Sequence, residues 1–390
     1  MPDAPAREPP SAASGDDGDD DGWQLSGYLS ARAQHDLEDR GRSESRASVV
    51  GLLRAKQDRG DTSLALQLRP QFARSSRAQE RITRLHVDEL TLERRLSPSS
   101  FVFAGRKRIV NGVALGRNPT DFLNLDKPED RTLADDDRRA EKQGDDLVGW
   151  SYFGAAYSVQ AAAIRAADGS GRTRALLQLA GRLDAVATDY SIIGYYADSP
   201  GLGLNASAAV GDRVTAYAEI AVRERRDRQR PVSDPRGMLA GTAEDARRWF
   251  SDIVVGAQYT SDPGQTYTLE YWRNANGYSD SEFSALERSL RTGQGSAQTA
   301  GRLIATPYLR QEKLFARASG IELGGNAELE ATAIYGLDDR SAFARCALIW
   351  DVSQSDAIKV GVDALFGPRF SEYAASPVDT RVFLIYKRYF

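Results

Sequence analysis

Arginine and glutamate recur at alternate positions of segments whose intervening residues are apolar. In "AELEATAIYG", for example, Glu328 and Glu330 alternate with Leu329 and Ala331. An arginine at such a position presents a planar guanidinium that binds a carboxylate or a phosphate through two parallel hydrogen bonds. The same arginines could instead pair with neighbouring acids and only stiffen the wall that carries them. Both chemistries need a scaffold that directs alternate side chains to one face.

Histidine and cysteine are too scarce to suggest catalysis or metal binding. The 390 residues contain two histidines, His35 and His86, and one cysteine, Cys346. Neither histidine lies in a recognisable nucleophile motif, and no glycine-rich phosphate-binding loop precedes a helical pattern. The net charge of -4 gives no indication of a nucleic-acid partner. The sequence therefore predicts a protein that is not an enzyme, with no cofactor and no metal site.

Period-two alternation of apolar and polar residues runs through most of the chain and predicts β-strands. Strands are expected near 23–36, 46–58, 61–73, 85–96, 99–108, 147–153, 156–165, 172–182, 187–198, 200–210, 213–225, 248–260, 264–276, 312–320, 326–337, 340–352, 356–366 and 380–390. Because strand boundaries are poorly defined by one sequence, the expected count is about 18, with about 16 as the alternative.

The predicted connections alternate between short turns and long polar segments, the longest near 109–146, 226–247, 277–311 and 367–379. Short periplasmic turns and long extracellular loops are typical of a transmembrane antiparallel β-barrel of the bacterial outer membrane. The mean hydropathy of -0.48 is compatible with this, since barrel strands are only half apolar. The alternative is a soluble β-sandwich or propeller, but no repeat of fixed period supports it.

Two regions are expected within the chain. Residues 1–22 are rich in Pro, Ser, Gly and Asp and predict a disordered acidic tail, whereas residues 23–390 form the barrel. The first residues lack the apolar core of a signal peptide, so we interpret Met1 as the start of a mature chain whose export signal has been removed. Within the loop 277–311, helical spacing predicts a short helix over 284–293.

The C-terminal segment "VFLIYKRYF" ends in Phe390 after alternating apolar residues. It resembles the C-terminal signature of bacterial outer-membrane proteins, and this resemblance implies recognition of Phe390 by the barrel-assembly machinery. The lipid bilayer and lipopolysaccharide are the other partners expected of such a barrel.

Two further segments, "GRKRIVNGVALGRNPTDFL" at 105–123 and the run from "YGLDDRSAFARCAL" to "FGPRFSEY" at 335–373, resemble alginate-export-type outer-membrane channels. That resemblance implies a monomeric barrel for passive export of an anionic polysaccharide, with a periplasmic scaffold of a secretion complex as a further partner. The alternative function is a general or anion-preferring porin for small solutes.

Successive side chains of a strand point to opposite faces, so if the apolar residues face lipid, the charged residues between them face the lumen. The predicted pore-lining arginines are Arg32, Arg54, Arg69, Arg95, Arg106, Arg108, Arg174, Arg182, Arg223, Arg317 and Arg345. The predicted lumenal acids are Glu89, Glu93, Glu219 and Glu270. An anion path and a salt-bridged wall both remain open, and both can hold at once.

The loop that follows Arg108 begins with small and apolar residues and contains the motif Asn118, Pro119, Thr120, Asp121. Its first part is expected to fold into the barrel as a constriction, beside Arg106 and Arg108. The alternative is a disordered loop on the surface.

Overall fold

The computed structural model describes residues 22–38, 41–77, 81–125, 127, 138, 140–166, 171–226, 228–244, 247–304 and 309–390. The expected N-terminal tail lies outside the described residues except for Gly22.

One antiparallel sheet of eighteen strands dominates the described part of the chain. The barrel strands are β1 Gln24–Glu38, β2 Arg42–Arg59, β3 Thr62–Ser75, β4 Arg81–Ser97, β5 Ser100–Lys107, β6 Asp145–Phe153, β7 Tyr157–Arg165, β8 Thr173–Leu183, β9 Thr188–Tyr196, β10 Pro200–Val210, β11 Val214–Arg223, β14 Phe250–Thr260, β15 Thr266–Asn274, β16 Glu312–Gly324, β17 Ala327–Gly336, β18 Ala342–Asp351, β19 Asp356–Phe366 and β20 Val378–Tyr389. Strands β12 Arg230–Ser233 and β13 Leu239–Ala243 form a separate hairpin between β11 and β14. The expected count of about 18 is confirmed, but the hairpin was not expected.

The sheet closes because the last strand pairs with the first. Strand β20 lies antiparallel to β1 from Tyr28↔Tyr389 upward. Beyond the strand, the backbones of Gly27 and Phe390 exchange two hydrogen bonds of 2.9 and 3.1 Å. Phe390 therefore belongs to the sheet, and closure leaves no free sheet edge.

Connections are sorted by length between the two ends of the barrel. At the short-turn end, where β1 begins and β20 ends, the turns include 60–61, 98–99, 211–213 and 325–326. At the long-loop end lie 108–144, 224–249, 275–311 and 367–377, close to the expected ranges. That end also has short connections, such as 39–41, 197–199 and 337–341.

The long loop before β16 carries two helices, α1 Asp280–Thr292 and α2 Ala297–Ile304. Helix α1 contains most of the expected helix and begins earlier, because Ser279 and Glu282 form a capping box. The two helices share an apolar cluster with Leu239 of β13. Among the described residues, no helix is long and apolar enough to span a membrane.

Side chains alternate across the barrel wall as the period of two requires. On β10, Leu202 and Leu204 point outward and are exposed, whereas Asn205 points inward and is 4 % exposed. On β11, Glu219 points inward and is 1 % exposed. An apolar outer face around a polar interior is the arrangement of a barrel that lies in lipid.

Candidate pore constriction

The loop after β5 turns into the barrel instead of lying over its mouth. Residues 108–127, here called the lumenal loop, include seven side chains that are no more than 5 % exposed: Asn111, Ala114, Thr120, Asp121, Phe122, Leu123 and Asn124. The motif Asn118–Asp121 therefore lies inside the lumen. Residues 128–137, which belong to the second part of the loop, lie outside the described residues.

Two glutamates of the wall hold this loop through its backbone. Glu219 of β11 accepts hydrogen bonds from the N–H groups of Val113 and Ala114, and from the Thr120 hydroxyl at 2.8 Å. Glu270 of β15 accepts the N–H of Leu115 at 2.7 Å and that of Gly116 at 3.2 Å. Successive N–H groups that converge on a carboxylate form an anion-binding concavity. Here the anions belong to the protein, so the loop is bound to the wall.

Aromatic donors complete the Glu270 site. The Tyr217 hydroxyl and the Trp272 indole N–H donate to Glu270 at 2.6 and 2.7 Å. Gly116 packs so closely here that a Cβ at this position would lie 2.3 Å from the Trp272 ring. Gly112 adopts φ +101°, a conformation that favours glycine. The glycines thus let the backbone approach the carboxylates.

The Asn118–Asp121 motif organises the interior of the loop. The Asp121 carboxylate accepts the backbone N–H of Asn111 at 3.2 Å and the side-chain amide of Asn124 at 2.7 Å. Burial raises the pKa of Asp121 to about 6. Phe122 stacks on Tyr195 of β9 with ring centroids 5.0 Å apart. The motif is thus an internal fold of the loop that packs against the wall.

Strands β16 to β19, which follow the Glu270 strand β15 around the sheet, carry a set of charges that we call the basic wall. Its members are Arg317, Arg345 and Lys359, with the acids Glu330 and Asp363. Arg317 donates to Glu330 at 2.8 Å, and Lys359 donates to the other oxygen of Glu330 at 3.3 Å. Arg345 makes a bidentate pair with Asp363 at 2.6 and 2.8 Å. The set contains three cations and two carboxylates.

A cavity separates the lumenal loop from the basic wall. It has a volume of about 50 Å³ and is lined on one side by Leu115 and Gly116, and on the other by Arg317, Glu330 and Arg345. A space of this size holds a few water molecules. Arg138, from the same connection between β5 and β6, also lines this cavity.

Arg117 joins a second basic group nearer the long-loop end. Its guanidinium donates to Asp252 at 2.9 Å, and Arg223 donates to the same carboxylate oxygen at 3.2 Å. The Asn276 side-chain amide lies 3.4 Å from that oxygen. Sequence reasoning missed Arg117, although its position next to Asn118 in the loop motif could have indicated it.

Most of the expected lumenal arginines lie on the inner side of the wall. Their nearest partners differ: Arg32 pairs with Glu141, Arg54 donates to Gln67, Arg69 pairs with Asp88, Arg95 lies over the Phe101 ring, and Arg182 pairs with Asp184 and Asp189. Arg174 is buried on the inner face of β8. Arg108, just beyond β5, donates to the carbonyls of Ala140 and Lys142. Much of this charge is therefore bound within the wall and loop.

The structure corrects the expected orientation of Arg106. It was expected to point inward with Arg108, but it lies on the outer face of β5, where it pairs with Asp146 at 2.7 Å. Phe103, expected outward, is the inward residue, because Gly149 on the neighbouring strand leaves room for its ring. Lys107 replaces Arg106 inside: its ammonium group pairs with Glu93 at 2.8 Å.

The expected acids also have different roles from one another. Glu93 pairs with Lys107, and Glu89 lies on the inner face of β4 opposite Gln67. Glu219 and Glu270 anchor the lumenal loop instead of pairing with lumenal arginines.

Solved structures with the same architecture are bacterial porins. OccK1 (OpdK) of Pseudomonas aeruginosa superposes with a TM-score of 0.57 and 9 % identity, over 94 % of this chain and 98 % of that chain. A BenF-like porin of Pseudomonas fluorescens Pf-5 superposes with a TM-score of 0.56 and 10 % identity, over 94 % of this chain and 98 % of that chain. OccK2 (OpdF) of P. aeruginosa was solved in complex with glucuronate. It superposes with a TM-score of 0.55 and 12 % identity, over 94 % of this chain and 97 % of that chain. No protein-family model and no curated protein sequence matches the chain.

The chain has the fold of an outer-membrane β-barrel. The predicted fold class and location are thereby confirmed, and the similar structures are porins, not enzymes. The resemblance to alginate-export channels was wrong, because the similar structures are substrate-specific porins. The short phrases that suggested it, at 105–123 and 335–373, correspond to the lumenal loop and to wall strands of the porin-like barrel.

Proposed function

We propose that this channel is a porin for small anionic solutes, which pass between the lumenal loop and the basic wall. The observation that carries the proposal is the division of charge across the narrow part of the lumen. Glu219 and Glu270 are occupied by loop N–H groups, so the loop side offers uncharged backbone to the cavity. The wall side carries three cations and two carboxylates on neighbouring strands, of which Arg317, Arg345 and Glu330 line the cavity, and this excess of positive charge favours anions.

The size of the passage supports small solutes over a polymer. The lumenal loop packs inside the barrel and leaves a cavity of only about 50 Å³ beside Leu115 and Gly116, a restriction that favours small solutes over a polymer. The glucuronate bound to OccK2 is a small organic anion, which agrees with the proposed class of solute. Export of an anionic polysaccharide, the function first expected, has no such support.

The test is the reversal potential of the purified channel in a planar bilayer across a potassium chloride gradient. We expect chloride to be preferred, and the Arg317→Gln/Lys359→Gln/Glu330→Gln variant to lose most of that preference. The triple change removes one net positive charge and leaves no buried carboxylate unpaired. Arg182→Gln is the matched control, because Arg182 is exposed at the short-turn end, away from the cavity. A wild-type channel that prefers potassium would refute the proposal.

A further inference from the structure

Two arginines lie side by side on the outer face of the barrel near the long-loop end. Arg74 of β3 and Arg81 of β4 are directly opposite each other and point outward with Phe72 and Leu85. Both arginines are exposed. Like charges at opposed positions destabilise a strand pair. Within the described part of the chain, no acidic side chain forms a salt bridge with either one.

Arg106 provides an internal comparison. It also lies on the outer face near the long-loop end, but Asp146 on the next strand neutralises it through two hydrogen bonds of 2.7 and 3.0 Å. An outward arginine at this level can therefore be matched within the wall. Among the described residues Arg74 and Arg81 have no such match, so their charge is available to a molecule in the membrane.

A groove of about 640 Å³ begins beside Arg74 and runs along the outer face. Its outward lining is apolar or small toward the middle of the barrel: Ala33, Ala47, Val360, Val382 and Leu384. At its upper end it becomes polar, where the His35 ring nitrogen Nδ1 lies 2.8 Å from the Ser45 hydroxyl. The backbone N–H of Ser45 donates to the Ser76 hydroxyl at 2.9 Å. The groove thus has an apolar bed and, two residues nearer the long loops on each strand, a hydroxylated end, while Arg74 lies at one side of the bed directly opposite Ala47.

The change from an apolar to a polar lining toward the long-loop end indicates the chemistry of the occupant. The long-loop end of an outer-membrane barrel faces the outside of the cell, so the polar end of the groove lies at the headgroups of the outer leaflet. An occupant must combine acyl chains with an anionic, hydrogen-bonding headgroup. Arginine binds phosphate through two parallel hydrogen bonds.

We propose that this groove is a binding site for lipopolysaccharide, in which Arg74 and Arg81 bind a phosphate of the lipid headgroup. The headgroup hydroxyls lie against His35, Ser45 and Ser76, and an acyl chain lies along Ala33, Ala47 and Leu384. The site is independent of the proposed solute selectivity, because all of these groups lie on the outer side of the wall.

The experiment measures binding of deep-rough lipopolysaccharide to the delipidated, detergent-solubilised barrel by native mass spectrometry. Arg74→Gln/Arg81→Gln should weaken binding by at least about tenfold, since both guanidinium groups that bind the phosphate are lost. Arg106→Gln is the matched control and should bind like wild type. Dephosphorylated lipopolysaccharide should bind wild type as weakly as the intact lipid binds the double variant.

Three results would overturn the proposal: undiminished binding by the double variant, equal binding of the dephosphorylated lipid, or equally tight binding of phosphatidylglycerol. Heat-modifiable electrophoretic mobility verifies that each variant is a folded barrel. Single-channel conductance of the double variant should equal that of wild type, which separates this site from the pore.

Discussion

The two sides of the constriction stabilise their buried charges by different means. On the anchoring side, Glu219 and Glu270 receive backbone N–H groups from a loop that comes from a distant part of the chain. On the basic wall, Glu330 and Asp363 receive side chains from neighbouring strands. Only a substitution to proline removes a backbone donor, but a side-chain donor can be exchanged together with its partner. The anchoring side is therefore sensitive to any change at its acids, and the basic wall is the side on which selectivity can be varied.

The largest effect should come from removal of both anchors. In Glu219→Ala/Glu270→Ala, the N–H groups of Val113 to Gly116 lose their acceptors, so the loop should leave the wall and widen the lumen. Single-channel conductance in planar bilayers should rise severalfold. Glu93→Gln is the control, since Glu93 lies in the wall but pairs with Lys107 only. Unchanged conductance in the folded double variant would mean that the loop does not limit flow.

In the basic wall, the loss of stability should depend on whether one or both members of an ion pair are replaced. Arg345→Leu leaves the Asp363 carboxylate, 2 % exposed, without its bidentate partner and should cost about 3–5 kcal/mol of unfolding free energy. Arg345→Leu/Asp363→Leu should restore most of that loss, because a matched apolar pair replaces a buried ion pair at little cost. Urea unfolding in detergent measures both, and a double variant no more stable than the single one would contradict the comparison.

Gly116→Ala should have an intermediate effect. The added methyl would lie 2.3 Å from Trp272 and 2.8 Å from Phe315, so the loop must shift away from Glu270. We expect a loss of about 1–3 kcal/mol and a higher open-channel conductance. Gly241→Ala is the control, because nothing lies within 4 Å of the added Cβ there. Equal behaviour of the two variants would show that the close packing at Gly116 is dispensable.

The smallest effect should be a dependence on pH through Asp121. Its pKa of about 6 in the folded loop lies above the usual 3.8, so protonation favours the packed loop. That stabilisation is fully present below about pH 4 and is lost as the pH rises through 6. Conductance should therefore increase modestly between pH 4 and 7, and Asp121→Asn should abolish the increase. Asp184→Asn, an exposed acid at the short-turn end, should retain it.

The barrel itself could be predicted from the sequence because alternation is a local property of each strand. The eighteen strands, the sorted loops and the closing strand before Phe390 all follow from period-two patterns and turn residues. The rule that polar positions of an alternating strand face the lumen failed at Phe103 and Arg106, because it assumes that every inward position faces water. The lumenal loop instead packs Phe122 and Leu123 against inward Phe103 and Leu147, so this part of the interior is apolar.

The anchoring of the loop could not be predicted for a different reason. The loop donors to Glu219 and Glu270 are mainly backbone N–H groups. Every residue except proline carries one, so the residue types in a sequence do not reveal them. The glycines at 112 and 116 were visible in the sequence, but the surfaces they approach come from β11 and β15. Only the folded chain brings these groups together.

The span of the anchoring contacts has a consequence for biogenesis. The hydrogen bond between Leu115 and Glu270 joins residues 155 positions apart. Contacts of such high sequence separation form late, because the chain between them must be ordered first. The Glu219 contacts need only β11, but the part of the loop at Leu115 and Gly116 cannot reach its final position until strand β15 is in place. The narrowing of the lumen by this loop is thus complete only after β15 has joined the wall.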